Sequence, residues 1–157
     1  MRKNMGLYRG KQNGTWVEGS LLIDEAGNCY IGTYLKSSKC DSFVAGGGRQ
    51  QGKTAKRFLG IGFVLVDPET VGMCSGVSVK YGRKIFEGDI VYIGDHIQTV
   101  NGLYLVIYDT VNHCWALKRS SEHHHHYFTF SDLNGFAESA TLVGNIHDNP
   151  ELLEVSR

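Results

Sequence analysis

Read for apolar and polar positions, the chain is a series of short β-rich runs separated by turn residues. Thr15–Ile23 (TWVEGSLLI) and Cys29–Leu35 (CYIGTYL), joined across Asp24-Glu25-Ala26-Gly27-Asn28, predict an N-terminal hairpin. Residues 36–57 break the pattern: they are polar, basic and Gly-rich around Gly46-Gly47-Gly48, which predicts a long loop. Ile61–Val66 predicts a short buried strand stopped by Asp67-Pro68, since proline restricts the residue before it and has no N–H for a ladder. Gly72–Gly82 is turn-rich. Further strands are predicted at Asp89–Ile93, Leu103–Asp109, Cys114–Lys118 and Tyr127–Phe130, with Gly94-Asp95, Asn101-Gly102 and Asn112-His113 between them. Thr141–Ile146 is a last strand. Asn149–Glu154 then offers an N-cap, a proline at the first helical position and acidic residues in the first turn, so a short C-terminal helix follows.

Composition sharpens this picture. A chain of 157 residues with 20 Gly and only 2 Pro favours many turns over long helices, and its length suits one core or two small packed sub-domains. The expected fold is mainly β, a small and partly open β-barrel preceded by an N-terminal β-hairpin region and followed by a short C-terminal helix.

Charge narrows the partners. The formal net charge is zero, so no global field draws the chain to nucleic acid or membranes. The distribution is uneven, however: residues 1–57 carry ten cationic and four acidic side chains, a net +6 that the remaining 100 residues cancel. Cys29, Cys40, Cys74 and Cys114 form no CxxC pair, and Met1–Gly10 is basic without an apolar segment behind it, which predicts reduced thiols and a cytoplasmic location. The longest nearly apolar run, Phe58–Val66, is about half a bilayer span and contains glycine, so no membrane association is expected.

Two stretches invite a chemical reading. Gly47-Gly48-Arg49-Gln50-Gln51-Gly52-Lys53-Thr54 matches the phosphate-cradling pattern GxxxxGK[ST], with Val66-Asp67 placed like a metal-holding aspartate. That loop works between a buried strand and a helix, and about eight residues containing Gly60 and Gly62 leave no room for a crossover helix. A basic loop is the better reading. His123-His124-His125-His126 offers imidazoles, but consecutive strand residues point to alternate faces, so the run supplies at most two co-facial ligands. His113-Cys114 would face apart, and Glu87 and Asp89 suit a turn that accepts backbone N–H groups. No catalytic residue, metal or cofactor is expected.

Val66-Asp-Pro-Glu-Thr-Val-Gly72, then Gly82-Arg-Lys-Ile-Phe-Glu-Gly-Asp-Ile-Val91, and finally Leu142-Val-Gly-Asn-Ile146 with Asn149-Pro-Glu-Leu-Leu-Glu154 resemble the YopX family of bacteriophage and prophage proteins. Val17-Glu-Gly-Ser-Leu-Leu22 with Tyr30-Ile31 is similar to that family's opening hairpin. The resemblance divides the chain into an N-terminal hairpin region, 1–66, with its basic loop 36–57, and a barrel core, 67–157, within one compact unit. Its Gly-Asp entry into a strand is similar to that of SH3-like barrels. It implies a structural role for Asp67, Pro68, Thr70, Gly72, Gly82, Glu87, Gly88, Asp89, Gly144, Asn145 and Pro150, and it carries over no catalytic residue.

The function expected first is a phage- or prophage-type accessory protein, non-enzymatic, that self-associates as a homo-oligomer and meets a host or phage protein. The alternative is a small β-barrel that binds single-stranded or duplex nucleic acid through Arg49, Lys53, Lys56 and Arg57.

Overall fold

A computed structural model describes residues 6–35, 42–44, 60–94, 101–119, 127–130 and 136–154. The chain is mainly β, built of antiparallel sheets, as its short runs and turns predict. Contacts divide it into two compact units, Gly6–Met73 and, among the described residues, Cys74 onward. One long strand, Gly60–Val79, runs through residues 66/67 and 73/74 alike.

The first unit is a ring. Strands β1 (Tyr8–Gln12), β2 (Thr15–Ile23), β3 (Cys29–Leu35) and the first part of β5 (Gly60–Val79) pair in that order, and β5 then pairs back to β1. A short strand β4 (Ser42–Val44) joins the other side of β5, within the segment whose pattern reads as loop. The β1–β2 turn is Asn13-Gly14, with φ of 49° and 79°, the left-handed pair that a two-residue hairpin requires. The Asn-Gly dipeptide was the signal for β1, a strand the apolar pattern alone does not reveal. The β2–β3 turn is held by Asp24, whose carboxylate accepts the Ala26 and Asn28 N–H groups, the Asn28 side-chain amide and the Tyr30 hydroxyl. These bonds, led by that from the Asn28 side chain, hold the Asp24 carboxyl below its ordinary value.

Four strands enclose little space, so the interior needs small residues. Ile31, Val64, Val66 and Cys29 fill it, with Tyr8, Val17, Leu21 and Val71 against them. Gly10 lies over Val66, where a Cβ would come within 2.7 Å of a valine methyl, and a Cβ on Gly19 would meet the Gly32 carbonyl oxygen. These two glycines let the strands approach closely enough to close the ring.

Asp67-Pro68 does not stop β5. Opposite β1, Lys11 pairs with Asp67 and Arg9 with Gly72, so residues 68–71 bulge against Gly10 alone. Within that bulge Pro68 has no ladder bond to lose. The Thr70 hydroxyl accepts the Lys11 N–H at 2.8 Å and donates to the Asp67 carbonyl at 2.7 Å, while Asp67 Oδ1 accepts the Glu69 N–H at 3.1 Å. The side chain of Thr70 thus supplies an acceptor where the bulged backbone cannot.

The second unit carries the sheet β10–β9–β8–β7–β11, formed by Tyr127–Thr129, Cys114–Lys118, Gly102–Asp109, Asp89–Ile93 and Ala140–Asn145. The end of β5 pairs separately with β6 (Arg83–Phe86) around a bulge at Gly76, where φ is +78°. This explains the turn-like composition of residues 72–82. Val91, Tyr104, Val106 and Leu117 line one sheet face and pack with Val79, Ile85, Ile93 and Ala140. Two four-residue helices complete the unit, α1 (Phe136–Ser139) and α2 (Glu151–Glu154), and the latter lies against β8. The C-terminal helix lies within the span Asn149–Glu154 that its residues predict, with the Leu152 N–H donating to the Asn149 carbonyl.

Ring closure yields two stability predictions. Thr70→Val should cost about 1–3 kcal/mol in chemical denaturation, because a buried acceptor and donor are both lost. Gly19→Ala should cost about 2–3 kcal/mol or more, whereas Ser20→Ala on the same strand should stay within about 0.5 kcal/mol.

Candidate functional site

The expected motif residues converge on backbone junctions. In the second unit Glu87 and Gly88 form the β6–β7 turn, with Gly88 at φ +82°. Asp89 is almost fully buried and accepts the Phe86 N–H at 2.8 Å, a bond that turns the chain from one strand into the next. The Gly88 N–H donates to the Val106 carbonyl and its own carbonyl accepts the Ile146 N–H, each at 2.9 Å. Asn145 stands opposite Asp89 across β11 and β7. Its Oδ1 accepts the His147 and Asp148 N–H groups, its Nδ2 donates to Asp148, and its carbonyl accepts the Asn149 N–H. Gly144 is beside Asn149, where a Cβ would lie 2.5 Å from the amide oxygen. Pro150 follows, and its carbonyl accepts the Leu153 N–H.

Chemistry-bearing side chains are less concentrated. His113 occupies a turn at φ 52°, and Cys114 begins β9 opposite Asp109. Among the described residues no group of three His, Cys, Asp or Glu side chains could hold a metal, and no helix is long and apolar enough to cross a membrane. Arg49, Lys53, Lys56, Arg57, the phosphate-loop pattern at 47–54 and His123–His126 lie outside the described residues.

The outer face of the ring has a different character. Leu22 stands opposite Tyr30, and Tyr30 opposite Leu65, so three apolar side chains form a row across three strands. The next row, Leu21, Ile31 and Val64, points inward. Leu22 is 47% exposed and Leu65 44%. Leu65 also borders an open groove of about 450 Å³ lined by Lys11, Gln12, Asn13 and Asp67. Further round the same face the Arg9 guanidinium lies 4.4 Å and the Lys11 ammonium 5.1 Å from the centre of the Trp16 ring. Arg9 is buried, so this cluster holds β1 to β2 more than it offers charge to a ligand.

The family model described as YopX protein matches residues 7–154. The chain belongs to the YopX family. Among curated proteins no relative matches.

The YopX match spans both units, and the three motif blocks sit at the bulge of β5, the β6–β7 turn and the end of β11. The first lies where β5 turns from β3 to β1, the second between two strands and the third where a strand ends. In the sheet of the second unit, Tyr104 is fully buried and lies against Arg119, whose guanidinium is 6.0 Å from the ring centre. Burial pushes the Tyr104 phenol up, and Arg119 opposes that shift.

A neutral phenol favoured by the fold contributes stability in full below the ordinary value of 10, and that contribution is lost as pH rises through the higher folded value. The melting temperature should therefore fall above about pH 10, and Tyr104→Phe should flatten that alkaline limb. Asp89→Ala should cost about 2–3 kcal/mol in denaturant titration, since the Phe86 N–H loses a charged and buried acceptor.

Proposed function

We propose that this YopX protein works by contact: it is a non-enzymatic accessory protein of the phage or prophage type, acting in the cytoplasm, that pairs with a second copy of itself and docks onto a partner protein. Family membership supports the phage-type part of this reading. The observation that carries self-association is the outward row Leu22, Tyr30 and Leu65, whose two leucines are exposed.

A ring of four strands has used its small interior already, so these outward side chains keep much of their apolar area in water. Their gain comes from removing apolar area from water at a second surface, on the order of 25 cal/mol per Å². A two-fold contact needs one self-complementary patch, and an exposed apolar row across three strands is suited to that need.

Light scattering at increasing concentration tests this reading. The wild type should run as a dimer, and the double variant Leu22→Glu with Leu65→Glu should run as a monomer with an unchanged circular dichroism spectrum. A wild type that stays strictly monomeric, or a double variant that still pairs, overturns it.

A further inference from the structure

The second unit concentrates its few cations at one hairpin tip. Residues 74–157 contain six Lys and Arg against ten Asp and Glu, and three of the six, Lys80, Arg83 and Lys84, lie within five positions. The β5–β6 ribbon pairs Ser78 with Lys84 and Val79 with Arg83, so Lys80, Tyr81 and Gly82 form its tip. Lys80 and Arg83 are exposed, and the Tyr81 ring is 93% exposed. Among the described residues α1 and β11 pack beside this turn, and the one charged side chain they carry is Glu138.

The backbone adds a second observation. Tyr81 has φ 64° and ψ 21°, and Gly82 follows at φ 70°. The β1–β2 turn also places two successive residues in the left-handed region, and there the chain uses Asn13 and Gly14. Asparagine tolerates that conformation through local hydrogen bonds; a tyrosine there is strained. A ring that is almost wholly in water offsets none of this strain by packing within the chain. The conformation instead projects an aromatic face between two cations.

We propose that Lys80, Tyr81 and Arg83 form a contact point for single-stranded nucleic acid, with a base stacked on the Tyr81 ring and the flanking cations on adjoining phosphates. A single projecting ring can stack only on a base that is already unstacked, which favours a single strand over a duplex. With two phosphate-contacting cations the dependence on salt is shallow, a log–log slope of about −1.4 at roughly 0.7 per phosphate.

Fluorescence anisotropy of the full chain with labelled oligo(dT) and oligo(U), about 20 nucleotides long, at roughly 50 and 200 mM salt, is the test. The wild type should bind with the shallow slope. Tyr81→Asn should weaken binding about tenfold while leaving the melting temperature unchanged or higher, because asparagine relieves the backbone as it removes the ring. Lys80→Ala with Arg83→Ala should weaken binding and reduce the slope. Absence of wild-type binding at low salt overturns the proposal, as does undiminished binding by both tip variants. Binding lost only when Arg49, Lys53, Lys56 and Arg57 become Ala also overturns it, by placing the contact on the basic segment. Binding to vesicles containing phosphatidylglycerol but not to either oligonucleotide overturns it in favour of a lipid surface.

Discussion

The hydrogen bond from the Lys11 N–H to the Thr70 hydroxyl is small, yet the ring of the first unit depends on it. A strand that pairs with β3 along one stretch and with β1 along the next must bend, and the bend displaces backbone groups from the ladder. Residues 68–71 leave the register for this reason. Thr70 restores the lost acceptor from its side chain and is itself satisfied by the Asp67 carbonyl, so the Lys11 N–H keeps a partner at the bulge. Proline is tolerated beside it because the bulge asks for no donor there.

The second unit solves a related problem with different groups. Its β6–β7 turn leaves the Phe86 N–H pointing inward, and the buried Asp89 carboxylate meets it. Gly88 then bonds to β8 through its N–H and to Ile146 through its carbonyl, fastening the turn to both neighbours of β7. Asn145 organises the exit from β11 by accepting two successive N–H groups. Aspartate, asparagine and threonine recur at these junctions for one reason: short polar side chains can stand in for a missing backbone partner. In this chain Asp89, Asn145 and Thr70 each meet a backbone N–H at such a junction.

Much of this was legible in the sequence where one local rule decides the outcome. Asp89–Ile93 and Cys114–Lys118 follow from short apolar runs between turn residues, and the Asp24–Asn28 turn follows from its residue types. Three features were not. The strand Tyr8–Gln12 carries few apolar residues, because one face of it is Gly10 against Val66 and the other is Arg9 and Lys11 against Trp16. The continuation of β5 past Pro68 depends on a bulge whose acceptor lies on the same strand and whose donor is 59 positions away. β4 is three residues long, too short for any period to show. The apolar row Leu22, Tyr30 and Leu65 is invisible for a further reason: it exists only once three strands are set in register.

If the motif residues close the fold, their amides belong to the core in energetic terms. Hydrogen exchange of the Lys11, Phe86, Gly88 and Ile146 amides, read against Ile31 and Val106, tests this most directly. The account predicts that all four exchange as slowly as the core strands, through opening of the whole unit. Fast exchange at those four amides while Ile31 and Val106 stay protected would contradict it, and would return the motif blocks to the status of surface loops.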